Sequence, residues 1–372
     1  MLHHCLRLLL IFACACTCAL TCASAAFAQP AYALVFGPEN SSASAIDSAG
    51  RIVGQVGGRA FLWDGGAIAD LGTLGGASSA AFGISNNGFI TGSADRPDGS
   101  SHAFLYDSDS ASIGDIGQLG VSSSGAGVNS AGQVAGTWVD EAGENHAFLY
   151  SQGVARDIGN LGANSARATG INAAGAVVGS SFLEGFTSFQ AFLYSTSGNT
   201  STITALGTLG GPSSWAAAIN DNWQVAGTSF IDDDTQHAFL YSGGVMQDIG
   251  SFGGAFTEAR GLNNNGWVVG FSTYADDVPG IDFSSAFLYR DGSMFDLNLI
   301  VERPGVWSIL DAYGINDAGQ IAATACTEFG DCRAVLLNPV PEPQPAALLL
   351  AGLVLGGAWT GLRCRTRHPP SP

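Results

Sequence analysis

The chain has 372 residues, of which 52 are Gly and only 12% are charged. It carries 31 Asp and Glu against 13 Lys and Arg, for a formal net charge of −18 at pH 7. Because phosphate binding requires a basic surface, this composition argues against a nucleic-acid partner. It is compatible with cations, or with neutral and hydroxyl-rich molecules.

The first 28 residues have the pattern of a secretory signal peptide. Arg7 supplies the positive charge, residues 8–20 form the apolar segment, and the A-F-A tripeptide at 26–28 is a small-residue cleavage site. A lipoprotein attached at Cys22 is the alternative, but the residues before it match a lipoprotein motif poorly. The pattern predicts export of the chain that follows.

A pentapeptide, H-A-F-L-Y, occurs three times, at residues 102–106, 146–150 and 237–241. It belongs to a longer repeat of about 44 residues, a period that indicates a repeat architecture. The motif I-N-x-x-G-x-V-x-G precedes A-F-L in each repeat, and D-[IL]-G-x-[LF]-G follows most copies. The seven equivalents of the central Phe are Phe61, Phe104, Phe148, Phe192, Phe239, Phe287 and Val335.

Each repeat predicts four short strands, which we name a to d. In repeat 2 they are S-S-A-A-F-G-I-S, F-I-T-G-S, H-A-F-L-Y and S-I-G-D-I-G. The segment N-N-G at 86–88 predicts a tight turn between strands a and b, because Asn and Gly tolerate positive φ. Four antiparallel strands in about 44 residues are typical of a β-propeller blade, whereas the coils of a β-helix, the alternative, are shorter.

The repeat region begins and ends out of phase. The segment around Phe36 aligns with the end of a strand d, whereas the last repeat stops on a strand c at Val335. Seven complete blades result only if the N-terminal strand completes the last blade, which also removes the open ends of the sheet. The sequence therefore predicts an all-β fold, a seven-bladed β-propeller over residues 29–339 that is closed by its N-terminal strand.

These repeats resemble the HAF-repeat family of predicted extracellular proteins, over about residues 30–339. The resemblance implies an exported protein with this repeat fold. It implies no particular activity, because the family is defined by its repeat and its export.

Two Cys lie outside the signal peptide and the C-terminal tail. Cys326 and Cys332 flank the short loop T-E-F-G-D between strands b and c of the last repeat. An exported protein folds in an oxidising compartment, so the pair predicts one disulfide.

Residues 340–372 form a three-part C-terminal pattern. A V-P-E-P motif is followed by an uncharged apolar run at 346–362, at the short limit for one transmembrane helix, and then by an Arg cluster that the positive-inside rule leaves in the cytoplasm. The motif and cluster residues are Val340, Pro341, Glu342, Pro343, Arg363, Arg365 and Arg367.

The pattern resembles the PEP-CTERM sorting signal of Gram-negative bacteria. This resemblance implies a membrane protease of the exosortase type as partner, and delivery to the cell surface or the extracellular matrix. An ordinary single-pass membrane anchor is the alternative.

Acidic residues recur in the loops between strands b and c. Carboxylates on such loops can supply the six to eight oxygens that Ca²⁺ requires. No loop has the complete D-x-[DN]-x-[DN]-G pattern, and a solvated acidic face that keeps the protein soluble is the alternative. Calcium is the one cofactor that the loops suggest, and its candidate ligands are Asp232, Asp233, Asp234, Asp276 and Asp277.

Aromatic residues stand near these loops at the ends of b strands. Trp138, Phe186, Phe230 and Tyr274 could stack on sugar rings, with packing inside the fold as the alternative. The three His of the H-A-F-L-Y copies occupy one position in different repeats, so we do not expect them to converge on one metal ion.

No nucleophile motif, phosphate-binding loop or C-x-x-C pair occurs in the exported part. We therefore predict a surface or extracellular-matrix protein with a non-catalytic binding or structural role, associated with exopolysaccharide. An enzyme that acts on polysaccharide, a lyase or a hydrolase, is the alternative, because propeller active sites assemble from several blades and leave no local motif. A structural spacer without a ligand is the third hypothesis.

Overall fold

The computed structural model describes residues 31–185, 188–198, 200–275, 284–302 and 305–340. The chain divides into two units, of which Tyr32–Asn338 holds all the repeats. The proposed signal peptide, and the whole sorting signal apart from Val340, lie outside the described residues. Within the described ranges, no helix is long and apolar enough to cross a membrane.

Apart from one short helix, the regular secondary structure of the described residues is β-strand. The N-terminal strand is β1 (Tyr32–Glu39). Repeats 1 to 3 contain β2 (Ser41–Ile46), β3 (Ile52–Val56), β4 (Arg59–Trp63), β5 (Ile68–Asp70), β6 (Ser79–Ile84), β7 (Phe89–Asp95), β8 (Ser101–Asp107), β9 (Ser112–Asp115), β10 (Ser122–Val128), β11 (Val134–Val139), β12 (Asn145–Ser151) and β13 (Val154–Asp157).

Repeats 4 to 7 continue the same order, with one short helix after repeat 6. Their elements are β14 (Gly162–Ile171), β15 (Val177–Leu183), β16 (Phe189–Ser197), β17 (Thr200–Gly207), β18 (Ser214–Ile219), β19 (Val225–Phe230), β20 (Gln236–Ser242), β21 (Val245–Asp248), β22 (Gly253–Leu262), β23 (Val268–Tyr274), β24 (Ser284–Arg290), β25 (Ser293–Asp296), α1 (Leu297–Ile300), β26 (Val301–Glu302), β27 (Ser308–Ile315), β28 (Ile321–Cys326) and β29 (Cys332–Pro339).

Each of repeats 1 to 6 folds as an antiparallel meander of four strands in chain order. This confirms the assignment of strands a to d. Repeats 5 and 6 share one larger sheet through a single parallel bridge between Gln236 and Phe256. In the sheet of repeat 7 the order is β26-β1-β29-β28-β27, so the N-terminal strand lies beside β29, where the other repeats have their strand d.

The Gly of V-x-G in the b strands of repeats 1 to 6 is explained by the close approach of strands a and b, whereas repeat 7 has Ala323 at this position. A Cβ at Gly92 would lie 1.9 Å from the carbonyl oxygen of Ala80, and a Cβ at Gly179 would lie 1.9 Å from that of Arg167. Real Cβ atoms do not approach a carbonyl oxygen this closely. The glycine is therefore a steric requirement of the meander.

The A-F-L core of strand c packs between neighbouring repeats. Phe104 and Ala60 are completely buried in one cluster, which contains side chains from repeats 1 and 2. The same arrangement joins Ala191 of repeat 4 to Phe239 of repeat 5. The small Ala leaves room for the Phe of the next sheet, and each buried Phe stabilises the fold by about 1.5–3 kcal/mol.

The His of H-A-F-L-Y pairs with the Asp of D-[IL]-G in the same repeat. The Nδ1 atom of His102 lies 3.1 Å from the Asp115 carboxylate, and that of His237 lies 2.8 Å from Asp248. The same Asp accepts a hydrogen bond from the backbone N–H two residues later, as Asp115 does from Gly117. Each His therefore joins strand c to the end of strand d within its own repeat.

Cys326 and Cys332 lie directly opposite each other on β28 and β29. Their Sγ atoms are 2.09 Å apart, as the predicted disulfide requires.

Candidate functional site

The turns between strands a and b are joined by side-chain hydrogen bonds. The Oδ1 atom of Asn220 accepts the N–H groups of Asn222 and Gln224 at 3.0 and 2.9 Å, which closes its own turn. Its Nδ2 atom donates to the carbonyl oxygen of Asn263, in the next repeat, at 2.9 Å. The sequence predicted only the first of these roles.

The same bond recurs along the chain and passes from the last repeat to the first. Asn316 of repeat 7 donates to the carbonyl oxygen of Asp47 in repeat 1 at 2.9 Å. Repeats 1 and 2 have Asp47 and Ser85 at the Asn position, and there the neighbouring residues supply the contact. The Ser48 N–H donates to Asn86, and Asn87 donates to the Ser130 carbonyl oxygen.

Two cavities lie along the inner strands. The turn cavity has a volume of about 230 Å³ and is lined by the a–b turns of all seven repeats. The strand cavity has a volume of about 220 Å³ and is lined by the last residues of the a strands. Seven aliphatic side chains belong to both linings, and they are Ile46, Ile84, Val128, Ile171, Ile219, Leu262 and Ile315.

Polar groups are concentrated in one part of the strand cavity. Each repeat contributes the residue that lies two positions before the shared aliphatic residue. These seven residues are Ser44, Phe82, Ala126, Thr169, Ala217, Arg260 and Tyr313. Among them, only Arg260 of repeat 6 and Tyr313 of repeat 7 have long polar side chains.

Arg260 connects two carboxylates beside this cavity. Its guanidinium lies 3.1 Å from Glu258 on the same strand and 3.3 Å from the Oδ2 atom of Asp311 on β27. We name Glu258, Arg260, Asp311 and Tyr313 the channel cluster. With both carboxylates ionised the cluster carries a net charge of −1, so it presents guanidinium and phenol donors beside carboxylate acceptors.

Asp311 is the most perturbed carboxyl of the cluster. Burial raises its pKa to about 6, with Glu258 acting in the same direction and the Arg260 charge opposing both. Its Oδ1 atom is buried and has no hydrogen-bond partner among the described residues. Burial and the neighbouring Asp311 also raise the pKa of the Tyr313 phenol. A buried carboxylate oxygen without a donor disfavours the ionised form, in agreement with the raised pKa.

Three of the predicted calcium ligands, Asp232, Asp233 and Asp234, lie on an exposed loop. The Oδ1 atom of Asp232 accepts the N–H groups of Asp234 and Thr235 at 3.0 and 2.7 Å, and these bonds lower the pKa of its carboxyl. Asp276 and Asp277 lie outside the described residues. In the part of the chain that the structure describes, no group of three or more His, Cys, Asp or Glu side chains could hold a metal ion. Calcium binding stays a prediction.

Three of the predicted sugar-stacking aromatics, Trp138, Phe230 and Tyr274, contact neighbouring rings. Trp138 stacks on His146 with ring centroids 4.2 Å apart, and Phe230 makes an edge contact with Trp215. Packing inside the fold, the alternative considered above, describes both.

Tyr274 is held in the same way. It stacks on Phe252 and donates a hydrogen bond of 2.6 Å to Asp296. Burial, together with this bond, raises the pKa of Tyr274 to about 12. Phe186 lies outside the described residues.

Sequence reasoning missed the channel cluster. Arg260 and Asp311 are 51 residues apart, and neither belongs to a recognised motif. The available signal was a departure from the repeat. At the Arg260 position repeats 1 to 5 have Ser, Phe, Ala or Thr, and repeat 7 has Tyr.

The sheets and the cavity that they surround define a β-propeller, and solved structures agree. The chain is similar to the β-propeller domain of the Trilobed protease from Pyrococcus furiosus, with 10% identity and a TM-score of 0.52, over 82% of this chain and 97% of that one. It is also similar to a puromycin-hydrolyzing peptidase from Mycobacterium tuberculosis, with 10% identity and a TM-score of 0.51, over 82% of this chain.

A third similar structure is TolB from Acinetobacter baumannii, with 13% identity and a TM-score of 0.44, over 76% of this chain. The chain spans 60% of TolB and 53% of the peptidase. At these identities the likeness concerns the fold alone. No family model matches the chain, and no curated protein matches it.

Proposed function

We propose that this chain is a seven-bladed β-propeller, exported to the cell surface or the extracellular matrix, that binds saccharide there without catalysis. Three parts of this proposal have separate support: the closure of the ring, the localisation of the protein and the ligand that it binds.

Ring closure by the N-terminal strand is supported by contacts between the first and last repeats. The strand β1 lies in the sheet of repeat 7, and Asn316 donates to Asp47. Phe61 of repeat 1 is buried in one cluster with Ala334 of repeat 7.

Deletion of residues 32–36 tests this closure. Without them β29 loses part of its partner strand, so we expect a lower melting temperature for the whole domain. An unchanged melting temperature would contradict closure by this strand.

The proposed localisation rests on the patterns at the two ends of the sequence. The signal peptide at 1–28 supports export, and the resemblance of residues 340–372 to a PEP-CTERM signal supports processing by an exosortase-type protease. The resemblance to HAF-repeat proteins points to the same compartment. Fractionation of a native host with and without residues 340–372 tests the localisation, because loss of the sorting signal should abolish surface retention.

Saccharide binding rests on one observation, the channel cluster. Sugar hydroxyls both donate and accept hydrogen bonds, so they can accept from the guanidinium of Arg260 and donate to the carboxylates beside it. An anionic ligand is disfavoured by the −1 charge of the cluster and by the formal charge of −18 on the chain.

Binding of the purified full chain to dextran, levan and cello-oligosaccharides tests the ligand. Arg260→Ala should weaken binding at least 10-fold, whereas Arg156→Ala, at an exposed site on β13, should leave it unchanged. Adding calcium and then a chelator tests the acidic loops, since a calcium-dependent interaction would involve Asp232, Asp233 and Asp234. Absence of binding under all conditions would favour the spacer hypothesis.

An enzyme acting on polysaccharide is the second candidate. The observation that favours it is the pKa of about 6 at Asp311 beside a second carboxylate, Glu258. Paired carboxyl groups with different environments serve as acid and base in glycoside hydrolysis. Shortening of the polysaccharide during the binding experiment, lost in Asp311→Asn, would place this function first.

A further inference from the structure

The a–b turn of repeat 5 departs from the other six. Its fourth residue is Trp223, with a φ of 62°. The other six turns have Gly at this position, also with positive φ, and these residues are Gly50, Gly88, Gly132, Gly175, Gly266 and Gly319. A bulky side chain at positive φ is rare, because its Cβ crowds the backbone. Trp223 is therefore retained at a cost to stability.

The preceding repeat also departs from the pattern. In three other turns the Gly faces a Gln side chain of the repeat before it. A Cβ at Gly175 would lie 2.9 Å from Gln133, and one at Gly266 would lie 3.3 Å from Gln224. The residue of repeat 4 that is equivalent to Gln133 is Ala176, which is 1% exposed. The repeat before the one that contains Trp223 thus has a small residue, Ala176, where other repeats have a long side chain.

Much of the Trp223 indole is open to solvent. Trp223 is 44% exposed, and among the described residues no other Trp is exposed to this degree. The neighbouring residue Asp221 lines the turn cavity, as do Asn264 and Asp317 of the next repeats. The exposed indole therefore belongs to a turn whose first two residues, Asn220 and Asp221, line the cavity.

We propose that Trp223 is a stacking platform for a neutral sugar ring at the rim of the turn cavity. The C–H face of the ring would lie on the indole, and its hydroxyl groups would reach Asp221 and Asn264. The inference rests on the saccharide binding proposed above, but it adds a contact that is separate from the channel cluster. A neutral sugar is specified because Asp221 and Asp317 disfavour an anion.

Two variants of the full chain separate binding from packing. Trp223→Gly restores the residue of the other turns. The double variant Ala176→Gln/Trp223→Gly also restores the long partner seen at Gln133 and Gly175. Because it removes a strained Trp, the double variant should melt at the same or a higher temperature than the native chain. It should nevertheless bind dextran, levan or cello-oligosaccharide at least 10-fold more weakly.

Trp267→Phe is the matched control. Trp267 follows the Gly of the next turn and packs under the Arg290 guanidinium at 5.7 Å, so this variant should bind normally. Fluorine NMR of the chain labelled with 5-fluorotryptophan gives a direct reading. The resonance that disappears in Trp223→Gly should shift when the oligosaccharide is added.

The outcomes distinguish this site from the channel cluster. If Arg260→Ala abolishes binding while the double variant binds normally and the Trp223 resonance does not move, the platform is wrong and the channel site stands. If the double variant loses binding while Arg260→Ala binds normally, the platform stands and the channel site is wrong. A native chain that binds no sugar and shows no shift overturns both.

Discussion

The inner strands of repeats 1 to 3 and those of repeats 6 and 7 share a backbone but differ in what they place in the strand cavity. The first group contributes Ser44, Phe82 and Ala126, whereas the second contributes Arg260 and Tyr313. Residues that recur along the repeats, such as the Phe of strand c that is buried in six of the seven, explain the fold. Residues that differ from their equivalents in the other repeats, such as Arg260 and Trp223, are not needed for the shared fold. They mark the candidate sites.

The largest expected effect concerns a common residue. Gly179→Ala places a Cβ 1.9 Å from the carbonyl oxygen of Arg167, so strands a and b of repeat 4 must separate. We expect a loss of about 3 kcal/mol in the free energy of unfolding, measured by urea denaturation. Gly66→Ala is the control, because the nearest atom to its Cβ, in Asp64, is 3.7 Å away. Equal effects of the two substitutions would refute a steric role for the b-strand Gly.

The next effect concerns the turn-to-turn bonds. Asn220→Asp replaces the Nδ2 donor by an oxygen that faces the Asn263 carbonyl oxygen, and should cost about 2 kcal/mol. Repeat 1 shows how a chain tolerates Asp here, because Asp47 pairs with Arg51 four residues later.

The double variant Asn220→Asp/Gln224→Arg copies that arrangement and should recover part of the loss. Thermal unfolding of the single and double variants checks both statements. A double variant that is no more stable than the single one would contradict the comparison between repeats 1 and 5.

The smallest effect concerns a residue that breaks the repeat. The pKa of Asp311 is about 6 in the folded protein, above the ordinary value of 3.8. Between these two values the folded chain binds a proton that the unfolded chain has lost, so stability falls as the pH rises from about 4 to 6. Asp311→Asn removes this dependence and should be more stable than the native chain at pH 7, by on the order of 1–2 kcal/mol.

Melting temperatures of both proteins between pH 4 and pH 8 test this expectation. The curves should diverge as the pH rises, and Asp311→Asn should also bind saccharide more weakly. Parallel curves would mean that Asp311 titrates normally.

Much of the scaffold could be predicted because its signals are local and recur with the period of the repeat. The strands and the tight turns follow from spacing, and the pairing of Cys326 with Cys332 follows from their being the two Cys left outside the ends of an exported chain. The bond from Asn220 to Asn263 and the pairing of His102 with Asp115 depend on the arrangement of strands in space, and the sequence indicated only the residues.

The candidate site was harder to predict because its residues do not recur with the repeat, unlike the acidic loops. Acidic residues cluster in the b–c loops, but the structure shows that Asp140 and Asp232 accept backbone hydrogen bonds within their own loops. Arg260, Asp311 and Trp223 occur once each and form no motif. They become visible only when the seven repeats are aligned and the exceptions are examined.

The lengths of the outermost strands have a consequence for aggregation. An exposed sheet edge can pair with another chain, and short edge strands reduce this hazard. In repeats 1, 2, 3, 5 and 6 the outermost strand has only three or four residues. The strand β1 has eight, but β26 pairs with it at Tyr32 and Ala33. Within the described residues, β17 is the one long outer strand without such a cover, so crowded copies of this protein would first adhere to one another along Thr200–Gly207.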